Sequence, residues 1–582
     1  MHTEGVEETA SARLTERAGA FAPHGGRSRA EQVTRVACHA VAEVPFLLVA
    51  LVQVVQGWRP TLDDAAIAIR SWAIFTSHSS LLGEFTQATR CTRHMAFDPG
   101  PLLFWMLAVP VRIDPAHGVL WGAAVWCAAA MAICVEAAWA VRRATGALAV
   151  ATFAVVLAAT QPGVLVNSDW NPHFGLVWFA ATCTAAWAVG TGRLRWWPVL
   201  VLSASIAAQC HLTYTVPAAL LAILAPLPSV GRKLGRVEEW RWLAAGAGVG
   251  AACWAAPIVQ QLTGHPGNVS VLLRCVGGQH VMGGRFGLQT IASAVVPPPL
   301  WFHGTPGSGQ ALLHGLTAHC AGVGIGVLVV LAAVAVVAWI AQRRDLAVLA
   351  GVALLAAGSI AWEIALQPTG TTEELSYVEV VLWPVGMLVW GVAALSVVEV
   401  VARWGVLPGR WGPFGRASSR ARAKHGRQPL RRWRPGIALL WSATTAVFVG
   451  GTVNATILAS GAMNQAAQAA GGRGTFRGVS AAAAAVERLV PRGPLVLSVF
   501  GHSGYASLDL LYGTLWVLIS EGHQATAPGF YADTISPPAY AVPGEPWVDV
   551  TVRADGSVAS AVFAPGSPLP RASRRSINRV PR

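Results

Sequence analysis

Asp63 and Asp64 stand side by side, just after Trp58, Arg59 and Pro60 and at the end of an apolar run. Two adjacent carboxylates at the edge of such a run suit a transferase. One can take the proton from an acceptor hydroxyl, and one can hold a cation against a departing phosphate. The plainer reading has equal weight at this stage: aspartates open the helix that begins near Ala65, where acidic residues complement the N-terminal dipole. The same stretch carries Arg70, His78, Arg90, Arg93, His94 and Asp98. Arginine is the natural partner of phosphate oxygens, substrate or lipid headgroup alike.

Further along, Asp169, Asn171 and His173 sit together and are able to position an acceptor or a metal, although Asn-Pro is also a turn signal. His211 and Tyr214 follow Gln209 at an apolar-run end, where a lone histidine is more often an interface residue. His265, Pro266, Gly267 and Asn268 precede Arg274 and equally suit a tight turn. Asn268-Val269-Ser270 spells a glycosylation sequon, discounted because the Arg/Ala-rich composition is bacterial in character. Glu363, Glu373, Glu374 and Glu379 flank a later loop, and a carboxylate inside a membrane boundary is a functional candidate or the partner of a nearby Arg. Most of the 25 tryptophans fall at the ends of apolar runs, as in an interfacial belt; Trp58, Trp170 and Trp301 remain as sugar contacts.

The elements that must hold these residues are membrane helices. With 54% hydrophobic and 12% charged residues, the chain has too few charges to cover a soluble globule of 582 residues. Apolar stretches recur, each long enough to cross about 30 Å of hydrocarbon. They predict an all-α polytopic membrane protein with about 11 transmembrane helices. The predicted layout has a disordered cytoplasmic tail at 1–41 and a membrane domain at 42–458. Long outer loops fall at 58–117 and 261–316, a basic cytoplasmic loop at 403–435, and an extracytoplasmic C-terminal domain and tail at 459–582.

The net charge of +14 does not indicate nucleic acid, because the arginines cluster between apolar runs. Arg142-Arg143, Arg193 and Arg195, Arg232 to Arg236, Arg343-Arg344 and the run from Arg403 to Arg434 occupy alternate loops. Basic loops stay cytoplasmic, which puts the N-terminus inside and both long loops and the C-terminal domain outside. In the tail, the apolar run 494–500, a helix-like stretch 508–521 and two alternating runs around Asp555-Gly556 predict a small α/β domain. The cysteines show no metal-site spacing; Cys91 and Cys275 fall in outer loops, where an oxidising compartment permits a bridge.

The run from Trp58 through Asp63-Asp64-Ala65, and on to Asp98-Pro99-Gly100-Pro101-Leu102-Leu103-Phe104, resembles the first outer loop of GT-C glycosyltransferases. Many bacterial members, mannosyl- and arabinosyltransferase-like enzymes among them, have His-Pro-Gly-Pro-Leu at the later position; here Asp98 replaces that His. Asn171-Pro172-His173 and His265-Pro266-Gly267-Asn268 also look like family features, so the similarity covers about residues 42–280. The resemblance implies inverting transfer of a hexose or pentose from a polyprenyl-phosphate sugar to an envelope glycan, lipid or protein outside the cytoplasm. It implies Asp63 or Asp64 as base or metal holder, with Mg or Mn as the cation if there is one. One aspartate would face the cavity and the other cap the helix, with a cation or arginine beside the pair. Substrate contacts are expected from Arg70, His78, Arg93, His94, Asp98, Asn171, His173, His211 and Asn268. The cell membrane supplies the surrounding lipid. A transporter, or a flippase or ligase of lipid-linked glycans, is the alternative. A transporter would show internal repeats with broken helices, which the sequence lacks, as it lacks a nucleotide-binding fingerprint.

Overall fold

A computed structural model describes residues 29–86, 88–89, 94–228, 237–278, 281–297, 299, 309–367, 369, 378–403, 472–490, 495–499, 505–527, 548–553 and 557–563. The chain begins with α1 (Arg29–Val55), then two short helices, α2 (Leu62–Ala73) and α3 (Leu102–Ile113), inside the predicted first loop. Next come α4 (Gly118–Thr160), the one-turn α5 (Pro162–Val166), α6 (Asn171–Gly190), α7 (Trp197–Cys210), α8 (Thr215–Leu224) and α9 (Val237–Thr263). Three shorter helices follow, α10 (Asn268–Gly278), α11 (Gly283–Val295) and α12 (Gly309–Thr317), then α13 (Ala321–Ile340), α14 (Arg344–Ala365) and α15 (Val378–Arg403). Seven of these, α1, α4, α6, α9, α13, α14 and α15, are long and apolar enough to cross a membrane.

At 43 residues α4 would be about twice as long as a bilayer's hydrocarbon is thick. It doubles back instead. Arg142 and Arg143 leave helical geometry, Arg143 at φ 53° and ψ −135°. Gly146 packs on the backbone of Ala138, which in a straight helix would lie roughly 12 Å away. The two limbs therefore correspond to the two spans expected on either side of the Arg142-Arg143 pair. α7 and α8, at 14 and 10 residues, are each shorter than one full crossing.

The bundle has two chemically distinct ends. At one, the α4 turn, the start of α14 and the end of α15 join through ion pairs. Arg142 Nε donates to Asp345 Oδ2 at 2.7 Å, and Arg343 grips Glu399 through two nitrogens. Arg193, next to the end of α6, donates to Thr191 Oγ1 at 2.6 Å. Four of the basic loops read from the sequence have described residues, and three of them meet here. At the other end lie Asp63, Asp98, Asn171 and the C-terminal unit.

That unit consists of α16 (Gly472–Leu489), β1 (Leu495–Val499), α17 (Tyr505–Ser520), β2 (Ala525–Thr526), β3 (Val548–Val552) and β4 (Val558–Phe563). The sheet order is β2-β1-β3-β4, with β1 parallel to both neighbours, Leu495 opposite Ala525 and Val548, and β3 antiparallel to β4. Leu495, Leu497, Val550 and Val552 are buried on one face, as period-two alternation requires. The antiparallel pair brackets Asp555-Gly556, which itself lies outside the described residues. α17 docks on α2: Trp516 Nε1 donates to the Pro115 carbonyl at 3.0 Å and its ring meets Trp72 edge-on at 5.8 Å.

Both long loops carry helices among their described residues. The first holds α2 and α3, both largely buried, and the second holds α11, whose Ile291, Thr290 and Ser293 are fully buried against the bundle. Small residues permit this: Gly287 and Gly324 sit directly on the backbones of Ala361 and Leu288. The expected span at 436–458, the basic loop after Arg403 and the Cys91–Cys275 pairing lie outside the described residues or side chains.

Candidate functional site

α2 begins at Leu62 with no side-chain cap, so Asp63 and Asp64 occupy its first turn and neither closes its end. Their surroundings differ. Asp63 presents an exposed carboxylate although protein surrounds it on most sides, the geometry of a group lining a recess. The Trp170 indole donates to Asp63 Oδ2 at 2.9 Å. Burial pushes the Asp63 carboxyl upward, and the Trp170 bond draws it partly back. Asp64 points inward, and burial, followed by Asp169, Asp63 and Asp509, holds its carboxyl well above the usual range.

Asp169 is 1% exposed, its Oδ2 has no hydrogen-bond partner, and burial pushes it up to about 7 against the pull of the Asp169 and Trp170 amides. Asp509, on α17, is bonded by Thr61 and is also raised, by burial first and by Asp63. The groups that act most strongly on Asp64 among the described residues are acidic, while Arg90 and Arg93 of the same loop lie outside them. Among the described residues, no three His, Cys, Asp or Glu side chains gather as a metal-holding group.

Behind this recess lies a second, fully buried polar network. Asp98 accepts from Asn171 Nδ2 at 3.1 Å and from the Leu212 amide at 3.0 Å; Asn171 also bonds the Cys210 carbonyl at 3.0 Å. These bonds tie the first loop to the start of α6 and to the α7–α8 junction. Burial, then Glu84, raises Asp98, and the bonds from Asn171 and Leu212 oppose the rise. Arg70 is 5% exposed, donates to the Gly83 carbonyl and lies over the rings of Phe97 and Phe104 at 5.2 and 5.4 Å. Burial lowers its pKa, and Glu84 and Asp98 support its charge. Glu84 itself is pushed up to about 7, chiefly by burial. Gly83 is required: a Cβ there would lie 2.8 Å from Asp98 Cβ and from the Gly100 carbonyl.

Asn268 clamps the same loop from α10. Its Oδ1 accepts from the Phe97 amide at 3.0 Å and its Nδ2 donates to the Phe97 carbonyl at 2.9 Å. His173 is buried against Trp170, ring centroids 4.7 Å apart, with Nδ1 2.9 Å from the Asn167 carbonyl. That contact steadies the indole that holds Asp63. His211 Nδ1 lies 2.9 Å from Thr213 Oγ1, at the junction that also supplies the Leu212 amide to Asp98. His78 and His94 lie on the first loop, His78 partly buried beside Ser77 and His94 exposed. Arg93 lies outside the described residues, as do Trp301, Glu373 and Glu374. Glu363 accepts the Val216 amide at the start of α8.

The structure thus joins Asp63 and Asp64 to Asp169, and Arg70 to Asp98 and Asn171. The sequence reading did not single out Glu84 or Asp509. The only signal for Asp509 is an acid placed in an otherwise apolar helix, 508–521.

No family model matches the chain, and no curated protein matches it. Two solved structures are similar over most of its length. One is ArnT from Cupriavidus metallidurans bound to undecaprenyl phosphate: 16% identical, covering 90% of this chain and 94% of that one, TM-score 0.47. The other is the same protein in its apo state: 16% identical, 89% and 92% covered, TM-score 0.46.

Proposed function

We propose that the chain is a membrane glycosyltransferase that moves a sugar, with inversion, from a polyprenyl-phosphate donor to a hydroxyl of an envelope acceptor. The observation that carries this reading is the unequal pair: Asp63 open to a recess and held by Trp170, Asp64 more buried among the carboxyls of Asp63, Asp169 and Asp509. A carboxylate raised toward neutrality by burial is a stronger base than one in water, and a general base works best with a pKa near the operating pH. Asp63 takes the acceptor's proton. The acceptor oxygen then attacks the anomeric carbon from the face opposite the phosphate. The carbon–oxygen bond to the phosphate breaks, and its electron pair leaves on the polyprenyl phosphate.

For the leaving charge, the first loop offers Arg59, half-buried with Nη1 3.2 Å from His117 Nε2, together with Arg93, His78 and His94. Arg70, engaged with Gly83, Phe97 and Phe104, serves with Asp98, Asn171, His173, His211 and Asn268 to fix the loop that carries Asp63. The basic end is cytoplasmic in this reading, which places the recess and the C-terminal domain outside.

The test is transfer from a panel of radiolabelled polyprenyl-phosphate sugars in membranes holding wild type, Asp63→Asn or Asp64→Asn at matched protein levels. Asp63→Asn should lower transfer about 10²- to 10⁴-fold, the usual contribution of a general base. Undiminished transfer by Asp63→Asn would overturn the assignment. EDTA, followed by Mg²⁺ or Mn²⁺, in the same assay reads out any cation requirement.

A further inference from the structure

Away from the Asp63 recess, the two limbs of α4 together with α6, α14 and α15 enclose a cavity of about 400 Å³, within the range of small-ligand sites, ~300–1,000 Å³. Three of its polar lining groups are already satisfied. The hydroxyls of Thr152 and Thr184 bond the carbonyls of Leu148 and Ala180 in their own helices, at 2.9 and 3.1 Å, and the Trp187 indole donates to the Asp345 carbonyl at 2.7 Å. Apart from these groups and the Trp390 indole at the mouth, the lining is apolar, so the cavity suits hydrocarbon. It opens along α15, where Trp390 and Val398 line it and are 41% and 43% exposed.

The cavity reaches the basic end of the bundle. Gly146 lines it one turn from Arg143, Leu349 lies just over a turn into α14 from Arg344, and Val398 precedes Glu399. There Arg142 and Arg343 are neutralised by Asp345 and Glu399, whereas Arg143, Arg195 and Arg344 are exposed. The rim therefore carries positive charge in excess of its carboxylates.

We propose that this cavity holds one acyl chain of an anionic glycerophospholipid whose phosphate lies against Arg143 and Arg344. The rim's positive charge complements an anionic headgroup, and a chain entering between α4 and α15 fills space that would otherwise leave its apolar walls without contacts. A sugar donor is a poorer fit. On α6 the lining starts at Ala180, about 14 Å along the helix from Asn171, and the basic rim lies farther still from Asp63.

Native mass spectrometry of the detergent-purified full chain, titrated with dioleoyl-phosphatidylglycerol or dioleoyl-phosphatidylcholine, tests the proposal. Wild type should keep one phosphatidylglycerol under conditions that strip phosphatidylcholine. Gly391 lines the cavity, and a Cβ there meets nothing within 4 Å, so Gly391→Leu enters open space and should cut retention at least tenfold. The surface pair R143Q/R344Q should abolish the preference between the two lipids. Equal retention of both lipids by wild type, or wild-type retention by Gly391→Leu together with an unchanged preference in R143Q/R344Q, would overturn it. So would a polyprenyl phosphate that displaces phosphatidylglycerol. Absence of any retained lipid would also overturn it.

Discussion

Asp63 and Trp170 form the smallest unit in which structure sets reactivity. Burial raises the Asp63 carboxyl, and the indole bond, which favours the ionised form, lowers it. A base must be ionised to act, so transfer should increase as pH rises through the Asp63 pKa. Trp170→Phe keeps the ring but removes the donor. The Asp63 pKa should then rise and the acid limb of the pH–rate profile should move to higher pH; an unmoved limb in a folded variant would detach Trp170 from the base. Asp169 governs stability rather than rate. Its carboxyl sits at about 7 in the fold, against about 3.9 in an unfolded chain. Between those values the folded state binds more protons than the unfolded one, so stability falls as pH rises through this window. Asp169→Asn should therefore flatten the dependence of thermal unfolding on pH between about 4 and 7, with its largest relative gain at and above the upper end of that window. The adjacent pair Asp63-Asp64 was legible because both residues lie in one turn after an apolar run. The full carboxyl cluster was not, because Asp509 enters it from a different domain and nothing local to Asp509 or Thr61 encodes that meeting.

The spans between those residues were readable for a simple physical reason. A helix in hydrocarbon needs about 20 apolar residues whatever it packs against, so α1, α4, α6, α9, α13, α14 and α15 announce themselves. Even the reversal in α4 was marked, by two arginines in the middle of an otherwise apolar run. Short helices carry no such signal. α2, α3 and α11 are too brief to span, and α2 and α11 are polar in part, so their stretches read as parts of loops, and packing against long helices holds them helical. The ion pairs at the basic end likewise join elements far apart in sequence. Arg142, whose side chain is 9% exposed, lies 2.7 Å from Asp345 and at ion-pair distance, 3.1 Å, from Glu399. Removing Arg142 takes from Asp345 its closest cation, while Arg343 remains engaged with Glu399. Arg142→Gln should cost about 3 kcal/mol, the lower end for a buried pair because Asp345 keeps some exposure. Thermal or denaturant unfolding in detergent reads this, and adding Asp345→Asn to Arg142→Gln should recover part of the loss.

At the scale of the whole molecule, the chain leaves α15 at the basic end and re-enters the described structure at the other end, where α17 lies along α2. The C-terminal domain is thereby part of the wall around the carboxyl pair. Thr61, which immediately precedes α2, bonds Asp509, and the Pro60 carbonyl and Thr61 methyl lie 3.4 Å from where a β-carbon on Gly513 would stand. The anchor of this contact is Trp516, 2% exposed, bonded to Pro115 and edge-on to Trp72, whose other side meets the Arg112 guanidinium at 4.7 Å. Truncating a buried tryptophan costs about 3–5 kcal/mol, and the loss would fall on an interface between domains, so the domain should undock before it unfolds. Trp516→Ala should therefore raise hydrogen exchange in residues 61–73 while leaving α6 protected, and should lower transfer through a misplaced Asp63. If α2 keeps its protection while transfer falls, Trp516 touches substrate instead; if exchange rises and transfer holds, α2 needs no support from the C-terminal domain to present its carboxylate.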